Sequence, residues 1–240
     1  MTSNTSSIKK SAQTVLAPIA EDLKAVNDIL AREFAHSQSP TITEIGSYIT
    51  QAGGKRMRPA LLMLMAKALG YSGNDHRELG ATIEMLHTAT LMHDDVVDEG
   101  MMRRGRPTAN AKWGNSVAVL VGDFMYTRSF EMMIRIGNLR VMQALACAAN
   151  TLSEGEVIQM KNAHDPSVDE ARYLKVIERK TSVLFAAAAE MASALAGASK
   201  EAEEALVNYT MALGNAFHIA DHILDYSGHP TESGTQLGAE

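Results

Sequence analysis

Two groups of aspartates on predicted helices have the spacing to do chemistry. The first group is Asp94, Asp95 and Asp98, and the second is Asp221 and Asp225; each belongs to a largely apolar stretch. On a helix, residues four apart lie on one face, where like charges repel each other. A hard cation would relieve this repulsion, and carboxylate oxygens suit Mg²⁺, which also shares phosphate oxygens of a substrate. The sequence therefore predicts Mg²⁺ as the cofactor and these five aspartates as its ligands.

Two basic loops accompany the aspartates. The sequence Gly-Gly-Lys-Arg-Met-Arg-Pro occupies residues 53–59, and Arg-Arg-Gly-Arg-Pro occupies residues 103–107 just after the first acidic group. Either loop alone would be an ordinary solvated segment, but arginine offers a fork that matches phosphate oxygens. Neither a phosphate-binding P-loop nor a dinucleotide-binding glycine pattern is present in the sequence. Acids, basic loops and apolar flanks together predict a site for Mg²⁺ and a diphosphate that carries a hydrocarbon.

Composition narrows the class of protein. The 240 residues are 46% hydrophobic with a net charge of −6, which favours neither nucleic acid nor an anionic membrane as partner. The longest apolar stretch, residues 183–189, is too short to cross a bilayer, so no transmembrane segment is expected. Residues 1–12 are polar, resemble no secretory signal and are expected to be flexible. The single cysteine, Cys147, is expected to be a small buried hydrophobe in a reducing, cytoplasmic setting.

Helix-forming residues dominate the chain, and strand signals are almost absent. We expect an all-α fold, one domain over residues 1–240, in which long helices form a bundle around a central cavity. The expected helices are 11–36, 41–51 (capped by Thr41), 58–69, 77–99, 116–137, 138–161, 168–195 (one helix or two) and 200–225. Residues 100–107 are expected to form a basic loop, and residues 226–240 a loop at the end.

The chain resembles the trans-type polyprenyl diphosphate synthases from about residue 13 to its end. The segments that carry the resemblance are GGKRMRP at 53–59, EMLHTATLMHDDVVDEGMMRRGRPTAN at 84–110, GNSVAVLVGDF at 114–124, EGEVIQM at 154–160, KT at 180–181 and FHIADHILDY at 217–226. Their order along the chain makes the resemblance far more specific than any one motif. It implies the all-α isoprenoid synthase type of fold and a Mg²⁺-dependent prenyltransferase.

The resemblance also implies roles for individual residues. The isopentenyl diphosphate site would comprise Lys55, Arg58, His87 and Arg104. Arg103 and Lys180 would contact the allylic diphosphate and take part in catalysis with Asp94, Asp95 and Asp98. The remaining substrate-binding positions would be Thr181, Gln159 and His218. The two aspartate motifs would hold Mg²⁺, the allylic prenyl diphosphate would ionise, and the double bond of isopentenyl diphosphate would attack the resulting cation.

Product length is implied by the residues just before the first motif. In the family a bulky residue at the position of Ala89 closes the product tunnel, whereas here Ala89 is small and Thr90 follows it. The sequence of this region is most similar to those of octaprenyl- and decaprenyl-type synthases, which make quinone side chains, so a long product is expected. The alternative is a farnesyl- or geranylgeranyl-type synthase. If Ala89 is only a helix-packing residue, it carries no information about product length. A terpene cyclase or squalene-type synthase would not need the GGKRMRP segment. Family members are usually homodimers, and a homodimer is expected.

The second motif departs from the family pattern. Its usual form, F-Q-I-x-D-D-x-L-D, has Gln where this chain has His218 and Asp where it has His222, and a downstream Lys is Thr235 here. Neutral imidazole is a poor ligand for Mg²⁺. The chain also stops where family members continue, so the domain is expected to be short at its C-terminus. Three outcomes stay open: a weakened enzyme, a non-catalytic subunit, or a working enzyme; retained or reduced activity is favoured over none.

Overall fold

A computed structural model describes residues 13–163 and 165–227, without the side chains of 225–227. Helices dominate this part of the chain, as the sequence predicted. They are α1 (Ala20–Ala35, after a 3₁₀ turn at Ala17–Ile19), α2 (Pro40–Gln51), α3 (Met57–Ala68), α4 (Asp75–Val97), α5 (Ala109–Trp113), α6 (Asn115–Ile136), α7 (Leu139–Asn162), α8 (Glu170–Ile177), α9 (Val183–Ala196) and α10 (Lys200–Ser227). The two short strands are β1 (Met102–Arg103) and β2 (Arg106–Pro107). A π-helical turn, Glu178–Ser182, joins α8 to α9.

Most predicted helix ends agree with the structure to within about three residues, and the exceptions have local causes. The helix expected at 11–36 is interrupted by a 3₁₀ turn at Ala17–Ile19, which contains Pro18, because proline has no N–H to give to the preceding turn. The cap predicted at Thr41 is wrong: α2 begins at Pro40, a favoured first helical residue, and Ser39 precedes it. The segment expected as one helix or two at 168–195 is α8, the π-helical turn and α9 in direct succession.

Helix α4 lies at the centre of the packing. It contacts α6, α3 and α1, and its buried residues face two apolar clusters. Leu79, Ile83 and Leu86 belong to the first cluster, with residues of α3, α7 and α9. Met85 and Ala89 belong to the second, with residues of α1, α2 and α6. Because α4 is held on two sides, the residues at its C-terminal end, including the first aspartate motif, have a fixed position.

Helix α10 lies against α9 and the π-helical turn. Phe217 of α10 stacks near Phe185 of α9, with ring centroids 5.7 Å apart. This contact places the second aspartate motif beside the residues that follow α8. The described helices include none that is both long and apolar enough to cross a membrane.

One prediction about the core is wrong. Cys147 is exposed on α7 instead of buried. The buried face of this helix is formed by Val141, Ala144, Leu145 and Ala148, and a residue six positions after Val141 is turned about 120° away from it at 3.6 residues per turn.

Candidate active site

The first aspartate motif ends α4. Asp94 and Asp95 are each only 8% exposed, whereas Asp98 is exposed and caps the helix, its N–H donating to the carbonyl of Asp94 at 2.8 Å. Burial raises the pKa of Asp94, and the neighbouring charge of Asp98 adds to the rise although a lysine opposes it. Two carboxylates are therefore buried close to a third at the end of a central helix, which is costly unless cations compensate them.

Arg103 is the cation that compensates Asp95. Its Nε and Nη2 both donate to Oδ1 of Asp95, at 2.9 and 2.8 Å. The β1–β2 hairpin presents this side chain, because Arg104 and Gly105 at its tip have φ angles of 53° and 72°. Positive φ at both central residues is the requirement of a tight hairpin turn. The expected basic loop at 100–107 is therefore an ordered hairpin.

Two residues outside the sequence-based list hold the hairpin against the motif. Asn110 donates from Nδ2 to the backbone carbonyls of Asp95 and Gly100, both at 3.0 Å. Thr108 donates from its hydroxyl to the carbonyl of Gly100 at 2.7 Å. Both lie in the segment Arg-Pro-Thr-Ala-Asn that carried the resemblance, but the sequence alone gave no reason to assign them a role.

Lys180 is the second cation at the first motif. Its Nζ lies 3.6 Å from Oδ2 of Asp94 and 3.1 Å from Oε2 of Glu156 on α7. Burial and the charge of Asp94 raise the pKa of Glu156 to about 7. Glu156 is a site carboxylate that sequence reasoning missed, although the segment EGEVIQM contains it.

The π-helical turn explains how Lys180 reaches this position. Such turns insert one extra residue and occur often at functional sites. Glycines border it on two sides: a Cβ on Gly155 of α7 would lie 2.8 Å from Cβ of Arg179, and one on Gly214 of α10 would lie 2.7 Å from Cα of Ser182. Both helices approach the turn this closely only because these residues have no side chain.

The second basic group surrounds His87. Burial lowers the pKa of His87 well below its ordinary value, and the charges of Arg58, Arg104, Arg103 and Arg56 lower it further. The imidazole is therefore neutral at physiological pH. Arg104 donates to the carbonyl of Gly53. Four guanidinium groups thus share one region of the structure, which favours an anion.

Arg58 and Arg56 are held differently within that group. Arg58 is 9% exposed, lies 5.0 Å over the ring of Phe185 and has an Nε without a hydrogen-bond partner among the described residues. Burial lowers its pKa to about 10, so it stays charged at neutral pH. Arg56 adopts a left-handed backbone and binds the buried carboxylate of Glu84 at 2.6 Å. The orphaned donor of Arg58 is consistent with a ligand that supplies the acceptor.

The second aspartate motif is more open than the first. Asp221 has a side chain 39% exposed and is paired with Lys55 at 3.1 Å, and Lys55 also lies 5.0 Å from the ring centroid of Phe217. His218 contacts Thr181 of the π-helical turn, with Nδ1 and Oγ1 2.7 Å apart. The side chain of Asp225 and the position of Thr235 lie outside the described residues, so their predicted roles stay predictions.

The structure brings most predicted site residues into three neighbouring groups. Asp94, Asp95, Asp98, Arg103 and Lys180 form the first; His87, Arg58 and Arg104 form the second; Lys55 and Asp221 form the third. Thr181 links the π-helical turn to His218. Gln159, one helical turn after Glu156, has a buried Oε1 without a partner among the described residues.

The residues at the chain-length positions lie deeper. Ala89 is fully buried and Thr90 is 8% exposed. A small pocket opens beside the preceding residue, Thr88. Neither Ala89 nor Thr90 lines this pocket. The full lining is Leu30, Phe34, Ile49, Thr50, Arg56, Thr88, Arg104 and Met125. Two arginines and four apolar side chains share this lining, but the pocket has room for little more than one water molecule.

The carboxylates fit a divalent cation by their chemistry. Burial, then the charge of Asp94 and to a smaller extent that of Asp98, raise the pKa of Glu156, and the ammonium of Lys180 supplies the positive charge between Asp94 and Glu156. Oxygen donors of this kind suit hard cations. Among the side chains that the structure describes, however, no three of His, Cys, Asp or Glu are already arranged around one metal position.

A helical bundle whose buried carboxylates face clustered arginines defines a prenyl diphosphate synthase type of protein. The sequence model of the family described as polyprenyl synthetase matches residues 39–239, and the chain belongs to that family. The chain is 46% identical to the octaprenyl diphosphate synthase of Escherichia coli (strain K12) over 219 residues, which are 91% of this chain and 68% of the relative. It is 43% identical to the all-trans-nonaprenyl-diphosphate synthase (geranyl-diphosphate specific) of Rhodobacter capsulatus, over 94% and 69% of the two chains.

Solved structures agree with the family assignment. A polyprenyl synthase from Caulobacter crescentus CB15, crystallised with calcium and isoprenyl diphosphate, has a TM-score of 0.92 and 37% identity over 95% of this chain and 69% of its own. A decaprenyl diphosphate synthase from Rhodobacter capsulatus has a TM-score of 0.88 and 45% identity over 95% and 70%. The predictions of an all-α isoprenoid synthase fold and of a polyprenyl diphosphate synthase with long-chain relatives are confirmed.

Proposed function

We propose that this protein condenses isopentenyl diphosphate with an allylic prenyl diphosphate and makes a long-chain, all-trans polyprenyl diphosphate, a precursor of quinone side chains. One observation carries the proposal: the buried carboxylate of Asp94 and the half-buried carboxylate of Glu156 share the counter-ion Lys180, while four arginines converge near His87. A site with both kinds of charge suits two diphosphates and a divalent cation. The named relatives make octaprenyl and nonaprenyl chains, which supports a long product.

The cation in this proposal is Mg²⁺, held by Asp94, Asp98 and Glu156, with the second motif contributing Asp221 and Asp225. When bound, Mg²⁺ would supply Lewis-acid stabilisation to the departing diphosphate. The predicted ligand Asp95 is already paired with Arg103, so its main task in the proposal is to hold that arginine.

The chain's own residues account for the remaining steps. Arg103 and Lys180 bind the allylic diphosphate and stabilise the negative charge that develops as its C–O bond breaks. Lys55, Arg58 and Arg104 hold isopentenyl diphosphate, whose double bond forms the new C–C bond with the allylic cation. The proton lost from the product goes to the released diphosphate, so that no side chain has to act as a nucleophile.

Neutral His87 and the pocket complete the proposal. An uncharged imidazole can donate one hydrogen bond to a phosphate oxygen without adding charge to the arginine group. The small pocket beside Thr88, lined in part by Leu30, Phe34 and Met125, would have to widen to receive the growing chain. The side chain of Ala89 is only a methyl group, which leaves more space beside this part of α4 than a bulky residue would. This favours a long product over a farnesyl or geranylgeranyl product.

The test is chain elongation by the purified full chain with Mg²⁺, farnesyl diphosphate and labelled isopentenyl diphosphate. We expect products longer than geranylgeranyl diphosphate, sized by chromatography. Asp94→Asn should abolish elongation, whereas the matched change Asp28→Asn on the exposed face of α1 should leave it intact. Absence of elongation at every enzyme concentration would refute the proposal and favour a non-catalytic subunit. Products that stop at geranylgeranyl length would refute only the long chain.

A homodimer and a cytoplasmic location belong to the same proposal. Exposed apolar side chains on α6 and at the start of α7, among them Leu120, Ile134 and Leu139, are 57–67% exposed and would be covered by a second copy. The unpaired, exposed Cys147 suits a reducing compartment. Sedimentation velocity tests the first point: a monomer at micromolar concentration would contradict it.

A further inference from the structure

Two histidines on α10 form a pair that no proposed step uses. His218 and His222 are four residues apart, so they lie on one face of the helix, and their ring centroids are 4.2 Å apart. The sequence placed His218 among substrate-binding residues, but its described contacts are with Thr181 and His222. Two histidines at this helical spacing are a common arrangement for binding a metal through nitrogen.

A hydroxyl group holds each imidazole from outside the helix. Nδ1 of His218 is hydrogen-bonded to Oγ1 of Thr181, and Nδ1 of His222 to the hydroxyl of Tyr173 on α8, each at 2.7 Å. Histidines that bind metals through one ring nitrogen usually donate from the other to an oxygen acceptor, which fixes the orientation of the ring, and a hydroxyl oxygen can accept such a hydrogen bond. The two hydroxyl groups come from separate elements, α8 and the π-helical turn. In both histidines the hydrogen-bonded atom is Nδ1, so the Nε2 atom is the one that would bind a metal.

The spacing of the rings agrees with this interpretation. A metal–nitrogen bond is about 2.05 Å long, so the centroids of two imidazoles that bind one ion lie about 5.2 Å apart at a tetrahedral angle and about 4.5 Å apart at a right angle, as in square-planar or octahedral coordination. The observed 4.2 Å is close to the right-angle distance. Asp221 lies beside His222 in the chain, but its carboxylate is paired with Lys55 at 3.1 Å, so the two imidazoles are the protein ligands of this site.

We propose that His218 and His222 bind a divalent transition-metal ion through their Nε2 atoms, with Co²⁺, Ni²⁺ and Zn²⁺ preferred over Mg²⁺. Imidazole nitrogen suits these ions, whereas Mg²⁺ requires oxygen ligands. Water molecules would complete the coordination. The two histidines then form a nitrogen metal site, which is distinct from the oxygen site that the aspartates form for Mg²⁺. The inference concerns binding alone and does not depend on the proposed elongation reaction.

The experiment measures Co²⁺ binding to the untagged, EDTA-treated full chain without substrate. Titration is followed by calorimetry and by the visible absorption of Co²⁺, whose bands report nitrogen ligands. Since loss of a residue that orients a metal ligand weakens binding about 10–100-fold, His218→Gln and His222→Gln should each weaken it by about 100-fold or more. Tyr173→Phe should weaken it by about 10-fold. The matched change His36→Gln, at an exposed histidine after α1, should have no effect.

Further variants separate a metal role from a structural one. His222→Asp should lower the affinity for Co²⁺ and raise the affinity for Mg²⁺, a reversal that simple loss of packing would not produce. Unchanged Co²⁺ affinity in both glutamine variants would overturn the inference, as would an absorption spectrum with oxygen ligands only. If a glutamine variant fails to fold, the Tyr173→Phe titration decides: wild-type affinity there would also overturn it.

Discussion

The close packing of the π-helical turn against Gly155 predicts a large effect from one methyl group. In Gly155→Ala, the new Cβ would lie 2.8 Å from Cβ of Arg179, 3.1 Å from its carbonyl carbon and 3.2 Å from the backbone nitrogen of Lys180. Two of these three atoms belong to the backbone of the π-helical turn, so no change of side-chain rotamer relieves the contact. The turn itself has to move away from α7.

The size of that movement determines the expected loss. Carbon atoms pack best about 3.5 Å apart or more, so the turn has to shift by roughly 0.7 Å. Overpacking of this kind costs about 1–3 kcal/mol, while alanine gains about 1 kcal/mol over glycine within a helix. The free energy of unfolding should therefore fall by only about 0–2 kcal/mol. A displacement of about 1 Å at reacting groups can cost 10²-fold in rate, so kcat should fall about 10- to 100-fold as Lys180 moves from Asp94.

Steady-state elongation and urea unfolding measure the two quantities separately. The matched control is Gly73→Ala before α4, where the new Cβ meets the hydroxyl of Tyr71, the far end of a side chain. We expect this control to keep kcat within about twofold, since the contact lies far from the site and Tyr71 can swing away. Wild-type kcat in Gly155→Ala would refute the reasoning that the glycine positions Lys180. A parallel loss of kcat in the control would refute its specificity.

Three further variants test how the site is supported. Glu84→Gln leaves the guanidinium of Arg56 without its buried partner and should lower the free energy of unfolding by about 3–5 kcal/mol, measured in urea. Burial raises the pKa of Asp22, but hydrogen bonds from two basic neighbours outweigh burial and lower the pKa. The carboxylate therefore stabilises the fold above about pH 4, and this stabilisation is lost as the pH drops through the lowered pKa. Asp22→Asn should lower the free energy of unfolding by about 1–3 kcal/mol at pH 7 and flatten the acid limb of a plot of stability against pH. Asn110→Ala loses both hydrogen bonds to the carbonyls near Asp95 and should cost about 1–3 kcal/mol and lower kcat, measured by unfolding and elongation.

The fold was largely predictable because its signals are local. Helix-forming residues and the near absence of strand signals indicated most helices before any tertiary information was used. The interruption at Pro18 was visible in the sequence and was missed. The exposure of Cys147 was not predictable from composition, since it depends on which face of α7 meets the core.

The candidate site, like the fold, was only partly predictable from the sequence. The motifs identified the charged residues near the first aspartates, because charge clusters are visible in a sequence. The π-helical turn was not predictable: it depends on close approach of two glycines, Gly155 and Gly214, from helices distant in sequence. The role of Glu156 was missed for a related reason, since its neighbours Asp94 and Lys180 come together only through packing.

The π-helical turn also bears on whether the altered second motif removes activity. Consecutive residues of the turn reach the two motifs: Lys180 contacts Asp94, and Thr181 is hydrogen-bonded to His218. His218 therefore fixes the same turn that supplies the counter-ion of the first motif. The family pattern has Gln at this position, and the imidazole of His218 can make the same kind of hydrogen bond to Thr181 as an amide side chain. The first motif therefore keeps its geometry despite the change from Gln to His. The departure at His222 then affects which metal the second motif binds, and reduced activity with altered metal preference is a better expectation than none.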